Sequence, residues 1–249
     1  MKTTIILLTL TIISLFSGCT EKKTNAIVFV LFDASISTND KTVREHYFED
    51  FKKMLGRLHG GTQLEGDVIT ANSMATATFP LNNTIGGFDQ FEENQLTYKE
   101  KMDTTNKDII AAAQKIIDSA YSQRTDLMNA FQLAGKVFNE DRFISVKDKV
   151  LVIFSDMIED SGNYSFDHDD LTTQRISSII KEEEVEGRMP NLAGVKVYVV
   201  GATANSGSQQ QIKPAQIYAI EKFWIKYFSA CGAQLTDSRY ATRLLNFEY

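Results

Sequence analysis

The chain carries two hydrophobic signatures that alternate along its length. The first is the unbroken apolar run. Residues 26–32 read Ala-Ile-Val-Phe-Val-Leu-Phe before Asp33, residues 150–154 read Val-Leu-Val-Ile-Phe before Ser155-Asp156, and residues 195–201 read Val-Lys-Val-Tyr-Val-Val-Gly. Runs this short and this apolar, without in–out alternation, suit strands buried on both faces of a parallel sheet. The second signature is the helical repeat. It predicts helices over 41–58 (Val43, Tyr47, Phe51, Met54, Leu55 and Leu58 inward, closed by Gly60-Gly61), 95–120, 127–138, 171–186 and 214–227. The 95–120 stretch is apolar only in its second half (Ile109, Ala113, Ile116, Ile117, Ala120). Its first half (Lys99, Glu100, Lys101, Asp103) is therefore expected at the surface or projecting from it, as a helical insertion. Short strands are expected at 67–72 and 76–79, with Pro80 as the stop and 82–87 as a loop. A loop is expected over 202–211 and an edge strand over 232–235. Strands alternating with helices give an α/β fold: a doubly wound, mostly parallel central sheet flanked by helices, with right-handed crossovers.

Composition adds boundaries. The 249 residues are 43% hydrophobic and 23% charged, with three prolines and no Gly/Ser tract, which predicts one domain without a linker. Lys2 precedes an apolar run over 5–16, too short to span a bilayer, and Ser17-Gly18-Cys19 follows. This junction resembles a bacterial lipobox, with Phe16 where Leu is more usual. The resemblance implies that residues 1–18 are a signal peptide and that Cys19 is acylated. Residues 19–25 would be a polar tether, and 26–249 the folded domain. Such a protein is lipid-anchored in the bacterial cell envelope on the extracytoplasmic side, and Thr20 after the cysteine favours the outer membrane of a diderm cell. Removing 1–18 leaves 25 basic residues against 32 acidic ones, so nucleic acid is not the expected partner. With Cys19 acylated, Cys231 is the remaining thiol, and no intramolecular disulfide is expected.

Candidate chemistry sits where the apolar runs stop. Asp33-Ala34-Ser35-Ile36-Ser37 places a carboxylate and two hydroxyls at the end of the first strand, and oxygen ligands of low charge suit a hard cation such as Mg²⁺. Asp-x-Ser-x-Ser at that place resembles the metal-ion-dependent adhesion site of the von Willebrand factor A domain, which has a Rossmann-like fold. Two later segments extend the resemblance: Arg124-Thr125-Asp126 ahead of a helix, and Ser155-Asp156-Met157 after a buried strand, where the family often has Thr-Asp-Gly. The resemblance implies that Ser35, Ser37 and Thr125 touch the metal directly and that Asp33 and Asp156 act through water or hydrogen bonds. It implies Mg²⁺, with Mn²⁺ and Ca²⁺ as further candidates, and a protein ligand whose Asp or Glu completes the metal's coordination. Asp160 matches a later family aspartate with a loop-shaping role.

Two other readings remain open. A metal-dependent phosphatase or hydrolase could use Asp33, but the haloacid-dehalogenase pattern needs a second Asp where Ser35 stands. No Walker, Gly-x-Ser-x-Gly or His-Glu-x-x-His motif occurs. A metal-independent scaffold could bind through 95–120. Asp167-His168-Asp169-Asp170 reads as the acidic start of a helix, Cys231 as a structural thiol without a His partner, and Trp224 as core. A binding module, not an enzyme, is the expectation.

Overall fold

The computed structural model describes residues 24–35, 37–88, 94–119, 122–202 and 212–249. The signal sequence and the acylation expected at Cys19 therefore lie outside the described residues, as does most of 202–211. Among the described residues no helix is long and apolar enough to cross a membrane.

Six strands form one sheet: β1 (Ala26–Asp33), β2 (Thr62–Ile69), β3 (Leu81–Thr84), β4 (Asp148–Phe154), β5 (Lys196–Val200) and β6 (Tyr240–Ala241), in the order β3-β2-β1-β4-β5-β6. All neighbours are parallel except β3, which runs antiparallel to β2. The expected doubly wound α/β architecture is what the chain adopts.

The unbroken apolar runs are explained by burial on both sides. Val28, Val30 and Phe32 of β1 and Val150, Val152 and Phe154 of β4 join one core, covered by α1 (Lys41–Leu55) and α2 (Gln95–Ser119). Ile27, Phe29, Leu31, Leu151 and Ile153 point the other way, into a second core closed by α3 (Leu127–Phe138), α4 (Thr173–Val185) and α5 (Pro214–Ala230). An aromatic column on α5 fills much of that second core. Trp224 meets Phe131 edge-on at 5.3 Å and Phe166 at 5.6 Å.

Helix α2 covers the sheet with its second half, where Ile109, Ala113, Ile116 and Ile117 are buried, and its polar first half is largely exposed. Tyr98 holds that half down by donating to the Gly86 carbonyl (3.2 Å).

Three local expectations need correction. Strand β2 begins at residue 62, not 67, because buried Gln63, Glu65 and Asp67 break the apolar signal on one face. Glu65 is held there by Arg142 at 2.9 Å and Gln63 by Asn82 at 2.8 Å. Residues 76–79 are not a strand. They close a turn in which Asp67 Oδ2 accepts from Thr78 N–H and Phe79 N–H, and the strand forms at 81–84, where a loop was expected. Residues 232–235 supply one isolated bridge, Lys196 with Gln234, and the edge strand forms later at Tyr240–Ala241.

Candidate functional site

Strands β1 and β4 lie side by side, yet β1 leads to β2 on one flank and β4 leads to β5 on the other. The crevice of a doubly wound sheet opens at such a reversal, beyond the carboxyl ends of the strands. Asp33 is the last residue of β1, and Ser155-Asp156 follows β4.

Asp33 is buried and both its oxygens are used. Ser35 N–H donates to Oδ1 (2.8 Å) and the Ser155 hydroxyl donates to Oδ2 (2.6 Å). Thr38 Oγ1 folds the segment back by hydrogen bonding to the carbonyls of Asp33 (3.0 Å) and Ser35 (3.1 Å). That fold brings the Ser35 and Ser37 hydroxyls to 2.9 Å of each other. Asp40 then caps α1 through Thr42 and Val43 N–H groups.

Asp156 is less well provided. Its Oδ1 accepts from Ile158 N–H (3.1 Å), while its buried Oδ2 has no hydrogen-bonding partner. Burial, then the charge of Asp33, pushes its carboxyl up to about 7, and the Ser37 hydroxyl pulls it back in part. Asp33 is also raised by burial, against the hydrogen bonds from Ser155 and Ser35. Two buried carboxyl groups thus lie near enough for the charge of one to raise the other, and among the described residues no ion pair balances either. This is unfavourable for the ionised pair unless a cation joins them.

The third segment is strapped to the other two through its backbone. Ser122 N–H donates to the Ala34 carbonyl (2.7 Å), and Thr125 exchanges hydrogen bonds with Asp160 (3.1 and 2.9 Å). The backbone of Asp160 therefore ties this loop to the one after β4. Thr125 itself is buried. Asp33, Ser35, Ser37, Thr125 and Asp156 are thus carried by three segments that the structure laces together at one end of the sheet.

Three contributors were not legible beforehand. Ser155 stands where the resemblance expects Thr, and its hydroxyl both serves Asp33 and accepts from Met157 N–H (2.9 Å). Met157 stands where the resemblance expects Gly and adopts the left-handed backbone such a glycine would, at φ 65°. Its carbonyl accepts from Trp224 Nε1–H (2.8 Å), which braces the turn. Glu159 is fully buried and caps α3 across the loop: Oε2 accepts from the N–H groups of Leu127 (2.8 Å) and Met128 (3.3 Å).

The donor set fits a small hard cation. On an octahedral ion with ligands at roughly 2.0–2.1 Å, neighbouring oxygens lie about 2.9 Å apart, which is the Ser35–Ser37 hydroxyl separation. Asp156, whose Oδ2 is unpartnered, adds an acceptor near the Ser37 hydroxyl. Among the described residues no cluster of three or more His, Cys, Asp or Glu side chains gathers, so a thiolate or imidazole metal site has no counterpart there. Asp167 to Asp170 instead form a turn before α4, with Ser165 donating to Asp167 (2.8 Å). Burial pushes the Cys231 thiol up to about 12, an inert setting for a nucleophile.

No known protein family matches the chain, and no curated protein is similar to it. Among solved structures, it is similar to a von Willebrand factor type A protein from Catenulispora acidiphila at 12% identity and a TM-score of 0.39, covering 84% of this chain and 43% of that one. It is also similar to proximal thread matrix protein 1 from the mussel byssus at 17% identity and a TM-score of 0.38, covering 84% and 47%. The chain spans less than half the length of these structures.

Proposed function

We propose that this protein is a binding module that takes Mg²⁺ at the β1/β4 crevice and uses the ion to hold a carboxylate of a partner protein. The observation that carries the reading is the pair Asp33 and Asp156, buried together with an unused carboxylate oxygen beside two hydroxyls 2.9 Å apart. In keeping with the resemblance to von Willebrand A domains, Ser35, Ser37 and Thr125 would hold the ion directly. Asp33 and Asp156 would balance its charge through water or hydrogen bonds. Hydroxyl ligands neutralise little of a divalent charge, so the bound ion remains attractive to an Asp or Glu side chain. Nothing in this arrangement requires turnover, and the module is proposed to be non-catalytic. The Ser17-Gly18-Cys19 junction supports lipid anchoring at Cys19 in a bacterial envelope.

Calorimetry tests the reading. Mg²⁺ or Mn²⁺ should bind and raise the melting temperature, since a ligand selective for the folded state stabilises it. Asp33→Ala should abolish both effects while the fold persists, Ser35→Ala should weaken binding, and Asp167→Ala should do neither. Absence of binding at millimolar Mg²⁺ and Mn²⁺ would refute the metal role. Hydrolysis of a phosphate ester, lost in Asp33→Ala, would make the protein an enzyme instead. For the anchor, mass spectrometry of membrane-extracted protein should find acyl groups on Cys19, and a soluble product with another N-terminus would rule them out.

A further inference from the structure

Beneath the carboxylate pair lies a hydroxyl that the ligand set does not use. Tyr47 projects from α1 and is buried, with its ring against Phe154 (centroids 5.6 Å apart, planes at 59°). Phe154 is two residues before Asp156, so the ring is aimed at the end of β4. The end of the phenol occupies space kept open by Gly201 just beyond β5. A Cβ at Gly201, where φ is 101°, would lie 2.5 Å from Tyr47 Oη and 3.0 Å from the Ser155 carbonyl oxygen. Tyr47 Oη is nevertheless a buried group without a hydrogen-bonding partner. A buried hydroxyl in that state is disfavoured, so its retention calls for an explanation.

A complementary atom belongs to the residue that follows Ser155. Asp156 Oδ2 is a buried acceptor without a donor, and Tyr47 Oη is a buried donor without an acceptor. After burial, the strongest influence raising the phenol is the charge of Asp156, followed by that of Asp33. Asp33 has no need of the phenol, because Ser35 and Ser155 occupy both its oxygens. Another unpartnered hydroxyl, Tyr240 Oη, feels Glu221 ahead of Asp156 and is the weaker match.

We propose that Tyr47 is a positioning residue of the metal site, whose hydroxyl supports Asp156 Oδ2 through one water molecule when the ion is bound. This rests on the metal reading above. An ion at the crevice requires Asp156 to be a carboxylate, and a carboxylate in a buried setting gains from every donor that can reach it. Groups standing behind metal-site side chains fix their orientation, and their loss typically weakens metal affinity about 10- to 100-fold. A water-bridged contact falls at the lower end.

The test is Tyr47→Phe, which deletes the oxygen and keeps the ring on Phe154. Two readouts must move differently. Mn²⁺ affinity, followed by calorimetry and by the electron paramagnetic resonance of bound Mn²⁺, should fall about 10-fold. The melting temperature in EDTA should stay level or rise, because the metal-free protein loses only an unpartnered buried hydroxyl. Tyr240→Phe, the control, should leave Mn²⁺ affinity within about twofold of the parent. An affinity for Tyr47→Phe unchanged within twofold would overturn the proposal while leaving the metal reading intact. So would a fall of the EDTA melting temperature in step with the affinity, which marks a packing role, or an equal loss in Tyr240→Phe. If the unaltered protein binds no Mn²⁺, both the metal reading and this role for Tyr47 fail.

Discussion

Replacing Glu159 with Gln should flatten the pH dependence of stability between pH 5 and pH 8. Glu159 is fully buried, and burial pushes its carboxyl from an ordinary 4.5 up to about 8. The neighbouring Ser161 hydroxyl and the N–H groups of Leu127 and Met128 offset this in part, whereas the charge of Asp126 adds to it. A carboxyl raised in the folded state binds its proton more tightly there than in the unfolded chain. Its contribution is therefore fully present below about pH 4.5 and is lost as pH rises through about 8. Between pH 5 and pH 8 the loss from this one group comes to about 3–4 kcal/mol, or roughly 1 kcal/mol per pH unit. For a domain of this size that corresponds to about 7–14 °C in melting temperature. Gln has nearly the same shape, and its oxygen can still accept from Leu127, but it does not titrate. Its amide must then place a donor where Oε1 has no partner, which costs about 1–3 kcal/mol. Glu159→Gln is thus expected to be less stable than the parent at pH 5 and to close the gap or overtake it at pH 8. Urea unfolding at pH 5, 6.5 and 8 in EDTA would show this. The chelator matters because Asp156, pushed up to about 7, contributes a slope of the same sign that a bound cation would suppress. Parallel pH profiles for the two proteins would refute the argument, since the carboxyl would then titrate as it does in water.

Three further outcomes are expected. Met157→Gly relieves a left-handed backbone (φ 65°) worth about 1–2 kcal/mol but empties a fully buried side chain worth about 2–5 kcal/mol. The net should be a loss of roughly 1–3 kcal/mol in denaturant unfolding, and a gain would show that strain dominates. Arg243→Ala should cost about 3–5 kcal/mol and loosen the last residues, because buried Asp50 accepts from Arg243 Nε (2.7 Å) and from Leu244 N–H (3.0 Å) and would lose its main countercharge. Burial opposes ionisation of Asp50, yet Arg243, Lys53 and Leu244 together hold its carboxyl below the usual value, so this stability should drain away as pH falls below about 4. Amide exchange along α2 should be fast over 95–106 and slow over 109–119, and uniform protection would contradict a helix anchored by its second half.

The fold was legible where burial is simple. Residues 26–32 and 150–154 are apolar because both faces of β1 and β4 are covered, and an unbroken run is a direct imprint of that. Legibility failed where polar residues are buried in partnership. Gln63, Glu65 and Asp67 satisfy one another's surroundings through Asn82, Arg142 and the turn at Thr78, so a strand lies hidden in a polar stretch. Strand β3 reads Leu-Asn-Asn-Thr and has little strand propensity of its own. It exists because β2 offers it an edge, which is information held fifteen residues away.

The candidate site divides along the same line. Asp33, Ser35, Ser37 and Asp156 were visible because each sits at the end of an apolar run, a position with few structural reasons to hold an acid. What could not be read is the scaffold that aims them. Ser155 and Met157 are departures from the resembled pattern. In sequence they read as a hydroxyl without the β-methyl of Thr and a side chain for Gly. In the structure Ser155 still reaches Asp33 at 2.6 Å, and Met157 holds the left-handed turn under the bond from Trp224. The turn after β4 is therefore set by a helix that begins nearly sixty residues later and shares its core. A glycine would adopt this backbone without support, whereas a methionine keeps it only while its side chain stays packed and its carbonyl stays held. The placement of Asp156 in this chain consequently depends on the aromatic column of α5 in a way that an Asp-Gly sequence would not.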